Sequence, residues 1–209
     1  MRQGWRIGLR QNISVPMTRT IAEGALSRPA TWLRSGGIVL AGSALVAVCA
    51  HVVLPLNFTP VPLTLQTFAV LVLGLMLSPR LAAGTLTAYL VEGALGLPVF
   101  SPVPMMIGGM AHLLGPTGGY LLAYPAAAAL ISIVWRSTRG SFAGAIGSAA
   151  VGSLLMLGCG ALWLGVLTHG AISTILTLGF IPFVPGEGLK IVAAAGITFG
   201  YHRFRRRAN

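Results

Sequence analysis

The sequence predicts an all-α integral membrane protein, a bundle of six transmembrane helices with both termini in the cytoplasm. Three observations carry that prediction. Hydrophobic residues make up 55% of the 209-residue chain and charged residues only 8%, where soluble domains carry roughly a quarter charged residues. The apolar runs reach the length of about 20 residues that a helix needs to cross a bilayer, and are far too long for barrel strands. The basic residues, finally, are confined to chain ends and to alternate connections between the runs, which is the pattern of membrane topology.

Residues 1–35 form a basic amino-terminal segment with Arg2, Arg6, Arg10, Arg19, Arg28 and Arg34 against a single acid, Glu23. As a helix, Arg2, Arg6 and Arg10 make one stripe beside Trp5, Leu9 and Ile13, suited to lying on anionic membrane lipid. An arginine-rich, acid-poor amino end also resembles an organellar transit peptide, a second choice because no cleavage signal is obvious. With no secretory signal in view, the first apolar run is itself expected to be a span. A transmembrane substrate-binding domain is expected over 36–203, with spans at about 36–54, 61–78, 80–97, 114–135, 141–167 and 186–203. A basic tail, 204–209, completes the chain. Small residues recur at helical spacing, in Gly144, Ser148 and Gly152, in Gly196 and Gly200, and in Ser43 and Ala47, and predict close helix contacts.

Orientation follows from arginine placement. Arg80 lies between spans two and three, Arg136 and Arg139 between four and five, and Arg203, Arg205, Arg206 and Arg207 after span six. With the amino-terminal set they account for all the arginines, on one side, whereas 55–60, 98–113 and 168–185 hold no Lys or Arg. The positive-inside rule puts that side in the cytoplasm. The net charge of +11 is thereby a matter of topology, and no nucleic-acid partner is expected. Proline, glycine and polar residues gather at the opposite, outer ends. Irregular backbone at membrane depth is tolerated where it lines a cavity, so a pocket opening outward is expected.

Several chemistries drop out. No G-x-x-x-x-G-K-[ST] phosphate loop is present, the histidines stand singly, and Cys49 and Cys159 form neither a disulfide framework nor a metal spacing. No metal, cofactor or catalytic residue is expected; Glu92, Glu187, Ser101 and His112 could be combined into an intramembrane enzyme, but no spacing singles them out. A pocket for a small anionic molecule fits better. Lys190, the chain's only lysine, is the one cation on the outer side and lies in the first turn of span six, where free N–H groups favour an anion. Glu187, at i,i+3 from it, can accept from ligand donors, or the two can form a mutual ion pair that merely starts the helix. Phe58, Phe100, Trp163 and Tyr120 are available as apolar walls.

Four motifs in order make the reading specific. Phe58-Thr59-Pro60-Val61-Pro62-Leu63-Thr64-Leu65-Gln66-Thr67, Tyr89-Leu90-Val91-Glu92-Gly93 through Phe100, Gly115-Pro116-Thr117-Gly118-Gly119-Tyr120, and Pro182-Phe183-Val184-Pro185-Gly186-Glu187-Gly188-Leu189-Lys190 resemble the BioY family over residues 36–200. These are the biotin-binding S components of energy-coupling factor (ECF) transporters. The resemblance implies the six-helix S-component fold, capture of biotin from outside, delivery across the cytoplasmic (inner) membrane, and partnership with a membrane T subunit and ATPase subunits. It implies a substrate site among Glu187, Lys190, Phe58, Tyr89, Glu92, Phe100, Thr117, Gly118, Gly119 and Tyr120. The last motif in that family usually carries aspartate where this chain has Glu187, which bears on how the ligand is seated. An S component for another vitamin, such as thiamine or riboflavin, is the nearer alternative and an intramembrane enzyme the farther.

Overall fold

The computed structural model describes the backbone of residues 17–102, 108–138 and 140–208, with the side chains of 17–31 and 206–208 left undescribed. The arginine stripe expected at 2, 6 and 10, and the placement of Arg139, lie outside the described residues. The chain divides into two compact units, Met1–Gly36 and Gly37–Asn209. Helix α1 (Met17–Ala50) runs through the boundary, and the hydrophobic core belongs to the second unit.

After α1, two short extended segments, β1 (Val53–Leu54) and β2 (Leu63–Thr64), pair antiparallel with Val53 opposite Thr64. Between them lie Pro55, Pro60 and Pro62, which lack the N–H that a helix requires. Helix α2 (Gln66–Met76) starts only beyond them, where the Thr64 hydroxyl accepts from the Gln66 N–H at 3.3 Å. Helix α3 (Pro79–Ala94) has proline in its first turn, where the missing N–H costs nothing. It ends ahead of Gly96, whose φ of +96° is a conformation that a side chain resists.

A five-residue helix, α4 (Met110–Leu114), precedes α5 (Gly118–Ser137). Helix α6 (Phe142–Thr168) begins at Ser141, whose hydroxyl accepts from the Gly144 N–H at 3.0 Å, and so satisfies one of the free donors of a helix start. A short helix, α7 (Ile172–Gly179), and one 3-10 turn over Ile181–Phe183 lead into α8 (Val184–Ala208).

Among the described residues, four stretches are long and apolar enough to cross a membrane: Trp32–Ala50, Gly118–Ser137, Phe142–Thr168 and Ile172–Arg205. The second and third expected spans differ. Helix α2 has 11 residues and α3 has 16, about 17 and 24 Å at 1.5 Å per residue, short of a hydrocarbon core of about 30 Å. The prolines explain the first shortfall, because they turn the start of the expected span 61–78 into extended chain. Gly96 and Pro98 explain the second.

The core lies where α2, α3, α5, α6 and α8 meet, around Leu71, Leu86, Tyr89, Ile131 and Met156. Small residues set the α5–α6 distance, since Gly152 packs directly on Ile131 and the carbonyl of Ala127. The expected face of Gly144, Ser148 and Gly152 is therefore a contact within this chain. Gly196 and Gly200 meet nothing within 4 Å. Large apolar side chains are exposed on the surface, Leu162 and Leu189 by more than 70%, as at a protein or membrane contact.

Candidate binding site

The extended chain before α2 and the first turns of α2, α5 and α8 converge on a cavity of about 480 Å³, counted with its mouth. Glu187 and Lys190 form one wall. They are the two buried charged residues among those described, at 4% and 8% exposure, and make the one ion pair among the described residues, Lys190 Nζ to Glu187 Oε1 at 2.8 Å.

The pair is embedded in hydroxyls. Thr67, at the start of α2, donates to Glu187 Oε1 at 2.6 Å and accepts from Lys190 Nζ at 2.8 Å. Ser153, in the middle of α6, donates to Glu187 Oε2 at 2.7 Å. Three helices thus meet on one carboxylate. Both of its oxygens are engaged, as burial of a charge requires. The ammonium has three N–H donors, and two are used. The third makes no hydrogen bond among the described residues.

Other polar groups on the cavity wall have no hydrogen-bond partner among the described residues. They are the Tyr124 hydroxyl, the Ser101 hydroxyl and the His112 ring nitrogens, each on a residue less than 7% exposed. They open onto the cavity rather than being sealed in the interior, where Thr198 Oγ1 is the one unpartnered side-chain atom among the described residues, and with the remaining N–H of Lys190 they form a set of donors and acceptors around one space. His112 stacks on Phe100 with ring centroids 4.9 Å apart. Its burial lowers the imidazole pKa below the ordinary 6.5, because a charged ring would be poorly solvated there, so the ring faces the cavity neutral. Tyr120, Leu121, Leu157 and Phe183 supply apolar wall.

The residues expected from the sequence divide into three groups. Glu187, Lys190, Thr117 and Tyr120 line the cavity. Tyr89, Phe100, Gly118 and Gly119 stand behind it. Tyr89 accepts from Gln66 and donates to the carbonyl of Val99 at 2.9 Å, with Phe100 edge-on against its ring. Gly118 and Gly119 press on Trp163, whose indole N–H donates to the Gly115 carbonyl at 2.9 Å; a side chain at Gly119 would meet the Cys159 carbonyl at 2.8 Å. Glycine here lets α5 approach α6. Phe58 and Glu92 lie apart: Phe58 is 59% exposed, and Glu92 is half-buried and accepts from Ser43 of α1.

Sequence reasoning passed over Gln66, Thr67, Tyr124 and Ser153. Gln66 and Thr67 close the proline-rich motif, and polar residues opening an apolar helix are a usable signal. Ser153 carries no such signal, since a serine beside Gly152 reads as a packing residue.

Comparison with known proteins bears on what such a site takes. The sequence model of the BioY family matches residues 19–207. The biotin transporter BioY2 of Lactococcus lactis subsp. cremoris is 38% identical over 162 residues, covering 78% of this chain and 86% of that protein. A probable biotin transporter BioY of Pyrococcus horikoshii is 35% identical over 155 residues, with 74% and 88% covered. Among solved structures, the S-component for biotin from an ECF-type ABC transporter superposes with a TM-score of 0.74 at 24% identity, over 83% of this chain and 93% of that one, so the fold is that of an S component. With a match that runs nearly end to end, four motifs in order and that fold, the chain belongs to the BioY family.

Proposed function

We propose that this protein captures biotin in the cavity beside Glu187 and Lys190 and carries it across the cytoplasmic membrane. The observation that carries the reading is the set of polar groups facing the cavity beside a charge-compensated wall: Tyr124, Ser101 and His112, which have no hydrogen-bond partner among the described residues, and Lys190, which has one N–H beyond its bonds to Thr67 and Glu187. Biotin offers a ureido carbonyl, two ureido N–H donors, an apolar sulfur ring and a carboxylate. Lys190 and Tyr124 donate to oxygens, Ser101 and neutral His112 also accept, and Tyr120 and Phe183 contact the ring system. The names of the relatives support biotin as the ligand, and transport rather than catalysis as the activity.

Arginine placement supports the orientation. Arg80, Arg136, Arg203 and Arg205, all exposed, fall at the helix ends away from the cavity mouth, which puts the mouth outside and the carboxyl terminus in the cytoplasm. The arginines of the amino-terminal segment support a cytoplasmic amino terminus by the same rule. Closing the cavity outward and opening it inward needs energy that a chain with no phosphate-binding loop does not supply. A membrane T subunit and ATPase subunits are the partners that provide it.

The test is equilibrium binding of labelled biotin to the purified full-length protein in lipid nanodiscs, with thiamine and riboflavin as competitors. Submicromolar affinity, about 8 kcal/mol or more, displaced by neither competitor, is expected. Absence of biotin binding, or displacement by a different vitamin, overturns the assignment.

A further inference from the structure

We infer that Ser153 is a positioning residue of the site, acting on the ligand through Glu187 without touching it. The inference rests on the proposal that the Glu187–Lys190 wall receives the ligand. Ser153 is 2% exposed and does not line the cavity, although Leu157, one turn further along α6, does.

Its hydrogen bond leaves its own helix, as those of Ser43 and Ser132 also do. A hydroxyl in the interior of a helix commonly donates to the carbonyl four residues back. Thr85, Ser148, Thr168 and Thr177 all do so, bonding the carbonyls of Leu81, Gly144, Leu164 and Ser173 at 2.7–2.8 Å. Ser153 instead donates across the helix interface to Glu187 Oε2. It gives up the local partner for one 34 residues away.

The consequence falls on Lys190. Thr67 and Lys190 both bond the same oxygen of Glu187, Oε1, and Ser153 is the one partner of Oε2 among the described residues. Without it, Oε2 has no protein donor and the carboxylate is free to rotate and exchange its oxygens. Thr67 and Lys190 then lose a fixed acceptor. The direction of the third Lys190 N–H, which the ligand meets, is set only while both oxygens are held. Preorganisation of this kind lowers the cost of ordering the site on binding.

The experiment measures biotin affinity of the full-length protein in nanodiscs for Ser153→Ala and Ser153→Thr, each alone and combined with Glu187→Gln. Ligand-free thermal unfolding of each variant is recorded alongside. Ser153→Ala is expected to weaken binding about tenfold, the usual scale for a hydrogen bond to a charged group, and Ser153→Thr, which keeps the hydroxyl, to restore most of it. In the Glu187→Gln background the loss from Ser153→Ala should shrink to about twofold, because coupled residues are not additive. A tenfold loss in both backgrounds, tracking a fall in thermal stability, assigns Ser153 to helix packing and overturns the inference. So does a Ser153→Ala variant that binds within twofold of the wild type. Failure of the wild type to bind biotin is a separate result and counts against the proposed ligand.

Discussion

Replacing Lys190 by methionine separates the two roles that the Glu187–Lys190 pair can have. At 2.8 Å and an effective dielectric of about 20, the attraction is about 6 kcal/mol before desolvation is charged against it. Removing the ammonium leaves the Glu187 carboxyl without its cation, 4% exposed and held by only Thr67 and Ser153. Breaking one side of a buried pair costs about 3–5 kcal/mol, so unfolding should shift to clearly lower temperature. Affinity for biotin should fall by about 2–5 kcal/mol, or roughly thirtyfold to several thousandfold. A second variant, Lys190→Met with Glu187→Leu, removes both charges; it should recover most of the stability and none of the binding. Thermal unfolding and labelled-biotin binding on the same preparations read the two quantities. If the double variant regains both, or if Lys190→Met alone binds as the wild type does, the pair is only a structural fastener and the ligand lies elsewhere.

The polar groups on the cavity wall and the exposed aromatic give further expected outcomes. Tyr124→Phe deletes a hydroxyl with no hydrogen-bond partner among the described residues, so it should weaken biotin binding by about 1–2 kcal/mol with unfolding unchanged. Phe58→Ala, at an exposed position, should leave affinity within about twofold. His112 titrates below the ordinary 6.5 because it is buried. The unfolded chain therefore takes up its proton first, and the contribution of His112 to stability is complete above about pH 6.5 and lost as pH falls toward the folded value. Acid unfolding measured between about pH 7 and 5 should show a shallower loss in His112→Gln than in the wild type.

Much of the site was legible because it is local. Glu187 and Lys190 are three apart on one helix, and any α-helix brings such residues to one face. Thr117 and Tyr120 stand at the start of α5, and α5 begins close to the expected start of the fourth span. Phe58 reads as a wall because it is an aromatic beside a proline-rich motif, whereas it sits in a turn with its ring exposed and does not line this cavity.

The sequence by itself determined the apolar, mostly helical class of the fold, the family motifs and the charged pair. Those follow from composition, from the length of apolar runs and from short-range spacing, none of which needs long-range contacts. Only the tertiary structure decided that α2 is too short to span, that Gly118 and Gly119 serve Trp163, and that Thr67 and Ser153 close on Glu187. Those two hydroxyls reach it from 120 and 34 residues away, through the packing of three helices. No periodicity along the chain records which faces of separate helices meet, and the meeting itself completes the acid–lysine pair.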